Sequence, residues 1–419
     1  MDERTPMVSV VLPCYNHEKY IEEAIDSVMN QTFHDFELII TDDGSTDRSR
    51  ELIQRKIEQY NRDPRIRFYP NEQNTCFSNI DKAFASARGR YIASISGDDK
   101  MMPEKLEKQV KFLEEHRDRY KACVTWIECI GEDSAKKDSL PAYFNRDNVP
   151  LNELLKTLLL KGNCLCSPTF MVDREAFVRY GGMDFDFRQT QDYVLWLRYL
   201  MDEELYIIPE KLTCYRVVKG SLSDSAVDPE AEIRTYEEQE ELLFEIFADM
   251  KAHVFDRIFP DTDGSHHDTK HLMCRKVKCL IDCTEQNTLL GAVAIRLYYL
   301  YKKEPGFTEL LATEYGIDRR FMHGFVGRAS TYSYVVHQQN RLRVLTAANQ
   351  AHRFDLGGLH KSNADMIGEM LQMMEAGQGV LTLDHIASLY DYCKANGNPE
   401  EDFLAMLYEA REKGVKLFS

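Results

Sequence analysis

The sequence predicts an α/β protein in which a mostly parallel sheet is flanked by helices and followed by an all-helical C-terminal region. Two observations predict this class. Through about the first hundred residues, β-branched apolar runs alternate with segments of helical period, the pattern of a parallel sheet covered by helices. Beyond about residue 225 the strand patterns give way to helices. We therefore predict an α/β domain over residues 1–224 and a helical domain over residues 225–419.

Four runs near the N-terminus predict strands, of which the first is typical of a strand buried on both faces and the third is only a short strand. They cover residues 7–12, 36–41, 66–69 and 91–95. Between them, apolar residues recur at helical spacing, and Ser, Thr or Pro stands where a helix begins. The predicted helices start near Ile21, run from Ser45 or Thr46 towards Tyr60, cover residues 78–87, and open at Pro103.

The second part of the α/β domain mixes short strands with helices. Its predicted strands are residues 122–129, 167–172, 205–208 and 212–217. Its predicted helices are residues 151–160, a helix that starts at Asp173, and a helix that starts at Asp192 and carries an apolar stripe. Residues 132–148 and 185–190 are polar and are predicted to be loops.

The helical region contains clear helix starts. Asp228 and Pro229 supply a cap and a first residue for a helix that runs to about residue 250. Asn398, Pro399 and Glu401 supply a cap, a first-turn proline and an acid in the first turn. Further helices are predicted at residues 268–284, 287–303, 331–349, 363–376, 382–395 and 399–413.

The composition limits which binding partners and which cellular compartment we expect for this chain. The net charge of −17 argues against nucleic acid, whose phosphates need a cationic surface. The 11 cysteines form no paired framework and most lie in apolar runs, which favours reduced core thiols. The N-terminus lacks the basic and apolar regions of a signal peptide, and the apolar stretch 289–301 is too short to span a bilayer. We expect a cytoplasmic protein, with peripheral contact at the inner membrane face left open.

Polar segments follow three of the predicted strands, at residues 13–16, 42–47 and 96–99. In an open α/β sheet the carboxyl ends of the strands border the crevice that binds ligands. Asp98 and Asp99 are adjacent there, and two carboxylates repel unless a cation lies beside them, which suggests a divalent metal. The alternative is an ordinary turn, since Gly-Asp-Asp is common turn composition.

No Gly-x-Gly-x-x-Gly follows the first strand and no P-loop lysine motif is present, which disfavours dehydrogenases and P-loop NTPases. Instead an ordered series of segments over about residues 10–222 resembles glycosyltransferase family 2. The matching segments are residues 8–16, 31–33, 37–47, 89–92, the acidic turn, 191–198, 215–217 and Ser221. The resemblance implies a GT-A domain, a Rossmann-like sheet that binds a nucleotide-sugar, and usually an inverting transfer.

The resemblance also implies roles for the residues that bind the donor, most simply a UDP-sugar. Pro13 and Tyr15 would form a wall for the base, and Asp43 would accept a hydrogen bond from a uracil-type N–H. Asn16 and Gly97 lie in the same turns, and glycine allows a ligand to approach the backbone closely. The structural alternatives are strand termination and core packing for the wall, and a helix N-terminal acid for Asp43.

By the same resemblance, Asp98 would bind Mg²⁺ or Mn²⁺, which offsets the diphosphate charge as the nucleoside diphosphate leaves. Asp99 would assist or cap the following turn. Asp192 would be the general base that takes the proton from the acceptor hydroxyl, with a simple helix cap as its alternative. Arg216 or Lys219 would contact the diphosphate.

Three positions depart from the family pattern. Ser96 stands where the first acid of Asp-x-Asp usually is, Gln191 where a Glu usually precedes the base, and Val218 where a His is frequent. The loss of one carboxylate puts metal affinity in doubt. These departures motivate one rival, a non-catalytic protein that binds a nucleotide-sugar or glycan. A second rival is a nucleotidyltransferase. Such enzymes carry a Gly-rich loop after the first strand, and this sequence lacks that loop.

Two features outside the motifs have open interpretations. A stripe of histidine and cysteine on a predicted helix could bind zinc or could pack against the core. Its members are His267, His271, Cys274, Cys279 and Cys283. The stretch 289–301 could lie on a membrane or be a buried helix. The expected partners are a nucleotide-sugar and a glycan or lipid-linked acceptor, as in bacterial surface polysaccharide synthesis, and the C-terminal helices could form a homo-oligomer.

Overall fold

The computed structural model describes residues 5–75, 78–137, 143–217, 229–260, 268–285 and 287–329, and the short segments 380–381 and 416–417. The chain divides into two compact units, Met1–Ala329 and Ser330–Ser419. Within the second unit, the described residues form two short strands, Val380–Leu381 and Lys416–Leu417, which pair in parallel.

The first unit is built on an eight-stranded, mostly parallel sheet. Its strands are β1 (Val8–Cys14), β2 (Phe36–Asp42), β3 (Ile66–Pro70), β4 (Tyr91–Ser94), β5 (Lys100–Met101), β6 (Tyr120–Ile130), β7 (Met171–Asp173) and β8 (Glu204–Arg216). The strand order is β3-β2-β1-β4-β7-β6-β8-β5. β1 to β4 run parallel to one another, β6 and β8 are also parallel, and β7 and β5 join as antiparallel strands.

Thirteen helices flank the sheet or follow it in the described part of the chain. They are α1 (Ile21–Met29), α2 (Ser49–Gln59), α3 (Ser78–Ala85), α4 (Lys105–Glu115), α5 (Leu151–Lys161), α6 (Arg174–Arg179), α7 (Gln191–Leu200), α8 (Pro229–Asp249), α9 (Ala252–Ile258), α10 (Thr269–Asp282), α11 (Thr288–Tyr301), α12 (Phe307–Thr313) and α13 (Arg319–Ala329). Where the sequence supplies an Asx cap, the side chain is used: Asp173, Asp268 and Asn287 each accept backbone N–H bonds from the helix that follows.

The sheet is covered on both faces, as its apolar strands predict. Along β1, Val10 and Leu12 belong to a core shared with α1, α2 and α4. Val11 faces the opposite way, into a larger core shared with α3, α5 and α7. This alternation follows from the two-residue period of a strand. Each fully buried side chain of this kind stabilises the fold by roughly 1.5–3 kcal/mol relative to an exposed one.

Helix α7 and the helices that follow β8 extend the larger core. Trp196 of α7 packs edge-to-face on Phe170 at a centroid distance of 5.7 Å, an arrangement that contributes about 0.5–1.5 kcal/mol beyond burial. Leu242 and Phe247 of α8 lie in that same core, as do most residues of α11. The stretch 289–301 is therefore a buried helix, and no helix among the described residues is long and apolar enough to cross a membrane.

Most predicted elements are confirmed, and the exceptions have local causes. The structure has one strand, β8, where the sequence predicts two, because Pro209 falls in a bulge between the pairs Thr125–Ile208 and Trp126–Lys211. The predicted strand 167–172 begins instead as a 3₁₀ turn over Ser167–Thr169. β5, α9, α12 and α13 were not predicted from the sequence.

Two predictions are not decided by these elements. The helices predicted between residues 331 and 413 lie outside the described residues. The boundary predicted at residues 224 and 225 falls within 218–228, which also lie outside the described residues. The compact units divide elsewhere, after Ala329, and a domain boundary near 225 stays a prediction.

Candidate active site

The three strand ends that the sequence singled out meet at one edge of the sheet. In register, Cys14 at the end of β1 lies beside Asp42 at the end of β2. The backbone N–H of Asp43 donates to the carbonyl of Cys14 at 3.0 Å, and that of Gly97 donates to the carbonyl of Pro13 at 2.9 Å. These bonds join the turns at residues 13–16, 42–47 and 96–99 into one rim.

At the end of β2 the two aspartates have different surroundings. Asp42 is fully buried and pairs with Arg50 at 3.2 Å. Asp43 accepts three hydrogen bonds on Oδ1, from the Thr75 hydroxyl at 2.7 Å, the Thr75 N–H at 3.1 Å and the Asn71 amide at 3.3 Å. The carboxylate of Asp43 is thus held in one orientation by residues that sequence reasoning missed.

The turn after β1 is fixed by its own polar groups. Asn16 has a φ of 57°, a left-handed conformation that asparagine tolerates better than most residues. Its side-chain oxygen accepts the N–H of Thr46 at 2.8 Å, and its own N–H donates to the Ser45 hydroxyl at 2.9 Å. Asn16 therefore ties the first two turns together, while Pro13 and Tyr15 beside it are partly exposed.

Gly97 is required by close packing within the chain. A Cβ at this position would lie 2.6 Å from Nδ1 of His17 and 3.2 Å from the carbonyl of Pro13. The 2.6 Å contact is too short for a Cβ, so any other residue would require the His17 side chain or the turn to move. The absence of a side chain lets the acidic turn sit directly against the end of β1.

Asp98 and Asp99 point to different environments. Asp98 is partly exposed on the rim, and its carboxylate makes no hydrogen bond to any residue in the described ranges. Asp99 is buried, and its carboxylate accepts the backbone N–H of Arg216 at 2.7 Å. Burial, and then the nearby Asp98 charge, raise the pKa of Asp99 well above its usual value. Of these two aspartates, Asp98 is the one whose carboxylate is accessible to a ligand.

Arg216 does not present its guanidinium to the rim. Its side chain is 0% exposed and pairs with Glu23 at 2.6 Å. Its Nε donates to the carbonyl of Asp98 at 2.6 Å, and its Nη1 donates to the carbonyl of Gly131 at 2.9 Å. Lys219, the other candidate for the diphosphate, lies outside the described residues.

Asp192 is the second residue of α7 and is partly exposed. Burial raises the pKa of its carboxyl to about 6, although a hydrogen bond from Asn163 at 3.1 Å favours the ionised form. Asn163 was missed by sequence reasoning. Its position directly after Gly162, which ends α5 with a φ of 92°, was the available indication.

Cys166 is buried and directly precedes the 3₁₀ turn Ser167–Thr169. Burial raises the pKa of its thiol well above the usual value, and the negative charges of Asp99 and Asp192 raise it further.

Comparison with known proteins identifies the family of this chain. The model of the family described as Glycosyl transferase family 2 matches residues 9–181. An uncharacterized glycosyltransferase of Methanocaldococcus jannaschii is 34% identical over 215 residues, which cover 51% of this chain and 71% of that protein. The chain belongs to glycosyl transferase family 2.

Two further similarities complete the comparison for this glycosyltransferase. The putative teichuronic acid biosynthesis glycosyltransferase TuaG of Bacillus subtilis is 33% identical over 224 residues, 52% of this chain and 82% of TuaG. The crystal structure of S. aureus TarS 1–349 in complex with UDP is similar at 17% identity and a TM-score of 0.47, covering 74% of this chain and 91% of that chain. That score is too low to carry any inference about this chain's ligand.

The residues of this glycosyltransferase fit a divalent metal in a limited way. Mg²⁺ and Mn²⁺ prefer oxygen ligands, and Asp98 offers one carboxylate on the rim. Within the described residues, no group of three or more His, Cys, Asp or Glu side chains could hold a metal by itself. The donor set therefore suits an ion whose remaining ligands are phosphate oxygens and water.

The histidine and cysteine stripe of α10 is engaged in packing. His271 contacts Asp268 at 2.8 Å and Glu314 at 3.2 Å, and Cys274 is buried in the larger core. His267 lies outside the described residues. In the described part of the stripe, the structure supports the interpretation of a helix face packed on the core.

Proposed function

We propose that this glycosyltransferase moves a sugar from a UDP-sugar to the hydroxyl of a glycan or lipid-linked acceptor, with inversion at the anomeric carbon. The observation that carries the proposal is the arrangement of the rim. The turns at 13–16, 42–47 and 96–99 are hydrogen-bonded together, and we propose that Asp192, at the start of α7, faces them. A donor bound along this rim would place its anomeric carbon within reach of the base.

The nucleotide end of the rim is suited to a uracil base. Tyr15 and Pro13 offer partly exposed apolar surface at the end of β1. Asp43 offers a carboxylate already oriented by Thr75 and Asn71, which reduces the cost of fixing it when a ligand binds. A uracil edge presents an N–H donor, and a carboxylate is the acceptor that would select it.

The diphosphate would lie next to the acidic turn. Asp98 would hold Mg²⁺ or Mn²⁺ together with the phosphate oxygens. That ion, when bound, supplies positive charge that offsets the charge of the leaving nucleoside diphosphate. Asp99 would act within the turn, through the backbone of Arg216, and Gly97 keeps the turn against β1.

Asp192 would act as the general base. Its carboxylate takes the proton of the acceptor hydroxyl while that oxygen forms a bond to the anomeric carbon and the bond from that carbon to the diphosphate oxygen breaks. A pKa of about 6 leaves the carboxylate ionised at neutral pH yet basic enough to accept a proton. Attack on the face opposite the leaving group gives inversion.

The biological setting follows from the relatives. TuaG is named for teichuronic acid biosynthesis, and we propose that this chain also builds a surface polysaccharide from cytoplasmic donors. Peripheral membrane contact would bring it to a lipid-linked acceptor. The helical region would complete the acceptor side or join copies of the chain.

The test is a panel of nucleotide-sugars screened for binding, followed by an assay of slow donor hydrolysis by the wild type and Asp192→Asn. We expect UDP-sugars to bind best and the variant to bind them while losing about 10²–10⁴-fold of turnover. Binding without any turnover by the wild type would favour the non-catalytic alternative suggested by Ser96 and Gln191. Unchanged turnover by the variant would remove Asp192 from the mechanism.

A further inference from the structure

Arg216 holds the acidic turn from behind through two different groups. Its side-chain Nε donates to the carbonyl of Asp98 at 2.6 Å, and its backbone N–H donates to the carboxylate of Asp99 at 2.7 Å. Both residues of the turn are therefore bonded to the last residue of β8. Any movement of Arg216 would move the peptide that carries the Asp98 carboxylate.

The rest of the guanidinium is bonded within the fold. Nη1 donates to the carbonyl of Gly131 and to the hydroxyl of Ser134, each at 2.9 Å. Nη2 donates to Glu23 at 2.6 Å, and the group lies 4.5 Å from the ring centroid of Tyr20. Only the planar fork of an arginine reaches partners in so many directions, so lysine is not an equivalent.

Glu23 is the counter-ion that keeps this charge buried. It lies on α1 and also accepts a hydrogen bond from Lys100 at 2.6 Å, directly after the acidic turn. Although partial burial opposes its ionisation, hydrogen bonds from Lys100 and Ser134 lower the pKa of Glu23 below its usual value. The Glu23 carboxylate thus connects α1 to two cations, Lys100 and Arg216, that flank the Asp98 turn.

We propose that Arg216 and Glu23 are a positioning pair that fixes Asp98, and that they set how much a divalent cation strengthens the binding of the donor diphosphate. This assigns Arg216 a role different from the direct diphosphate contact that its motif suggests. The inference rests on the proposed function, because it requires a diphosphate and a cation at Asp98. Partners that orient a metal ligand typically change metal affinity by about 10- to 100-fold when they are removed.

The experiment measures UDP binding to the full chain by isothermal titration calorimetry, once with Mn²⁺ and once with EDTA. The variants are Glu23→Gln and Arg216→Lys, and the matched control is Glu22→Gln, a neighbour on α1 that pairs with Arg55 at the surface. We expect both variants to lose about 10- to 100-fold of the affinity that Mn²⁺ adds. Their UDP affinity in EDTA, and both affinities of the control, should equal those of the wild type.

Thermal unfolding midpoints show whether each variant folds. If Arg216→Lys does not fold, Glu23→Gln, which preserves the shape of the side chain, decides the result. A folded Glu23→Gln chain with the full Mn²⁺ effect would overturn the inference. Loss of UDP affinity in EDTA by Arg216→Lys, with Glu23→Gln unaffected, would make Arg216 a direct ligand and also overturn it. A wild type that binds no UDP would overturn the proposed donor and this inference together, whereas normal binding beside unaltered variants would overturn the inference alone.

Discussion

If Asp192 is the general base, as proposed, the rate of transfer should depend on the ionisation of its carboxyl. Its carboxyl pKa is raised to about 6 by burial, and only the ionised form can accept a proton. We expect log kcat/KM for donor hydrolysis to rise with pH below about 6 and to level off above it. A pH–rate profile of the wild type checks this, and activity that is independent of pH between 4 and about 6 would contradict it.

Asn163 adjusts that same ionisation. Its amide donates to Oδ2 of Asp192 at 3.1 Å and favours the charged form. Asn163→Ala should therefore raise the pKa of Asp192 and move the acid limb of the profile to higher pH. Asn30→Ala, at an exposed asparagine that ends α1, is the control and should leave the limb in place. A limb that does not move in Asn163→Ala would show that the amide does not act on the base.

Thr75 orients the carboxylate proposed to select the base of the donor. Thr75→Val removes the 2.7 Å hydrogen bond to Asp43 but retains the volume of the side chain. A hydrogen bond to a charged carboxylate contributes about 1.5–3 kcal/mol net, so UDP affinity should fall by about 10- to 150-fold. Calorimetry with UDP measures this, and Thr32→Val, which loses a surface bond to Glu107, is the control. Equal affinities in the two variants would argue against a role for Asp43 in binding the base.

The sequence predicts which residues stand at the strand ends and at the start of α7, but it does not reveal the partners of these residues. Asp43, Asp98 and Asp192 stand in motifs whose order is visible along the chain. Thr75 and Asn163 lie in loops, and their contacts depend on where distant segments meet. The sequence suggests that Arg216 contacts the diphosphate. Nothing in its motif reveals that the guanidinium is fully buried.

Among the elements, α8 reaches back to the loop that precedes the base. The carboxylate of Glu238 accepts the N–H groups of Arg188 and Gln189 at 2.8 and 2.7 Å, and the hydroxyl of Thr190 at 3.2 Å. These residues lead directly into α7. The helical region thereby supports the segment that carries Asp192.

Glu238→Gln tests this support. The variant should keep its UDP affinity but lose about 10- to 100-fold of donor hydrolysis, because misplacing a catalytic group by about 1 Å has an effect of that order. The matched control is Glu241→Gln, on the same helix as Glu238, which alters an ion pair with Arg296 of α11. Its UDP affinity and donor hydrolysis should equal those of the wild type. Full hydrolysis by Glu238→Gln would show that the loop is held by other contacts.

Elements with a strong period were predictable and irregular ones were not. β1, β2 and β4 follow from buried apolar runs, β3 follows from a short run at the sheet edge, and α11 follows from its apolar circumference. β5 spans two residues, too few to form a pattern. β8 continues through Pro209 because residues 209 and 210 bulge out of its pairing with β6, a tertiary effect that the sequence around a proline does not reveal.

At the scale of the whole molecule, buried carboxylates link stability to acid pH. Glu37 is 2% exposed and pairs with Arg67 and Arg88 at 3.0 Å. Burial opposes its ionisation, but hydrogen bonds from Ser9, Arg88 and Arg67 lower its pKa below the usual 4.5. Because the folded pKa is the lower one, this stabilisation is present above about pH 4.5 and is lost as the pH falls through the folded value.

Glu37→Gln should therefore destabilise the chain most at neutral pH. Glu37 is buried but Arg67 and Arg88 are 26% and 41% exposed, so the loss should be about 1–3 kcal/mol, and the difference from the wild type should shrink in acid. Urea unfolding of both proteins at neutral and acid pH measures this, with Glu51→Gln at an exposed pair as the control. A difference that does not depend on pH would contradict the linkage.

The whole account depends on one rim gathering a nucleoside diphosphate beside Asp98 and Asp192. The most direct measurement is the anomalous difference density of Mn²⁺ in crystals grown with UDP. We expect a peak beside the Asp98 carboxylate, with the diphosphate next to it and the uracil at Tyr15 and Asp43. A peak remote from Asp98, or UDP bound away from these three strand ends, would contradict it.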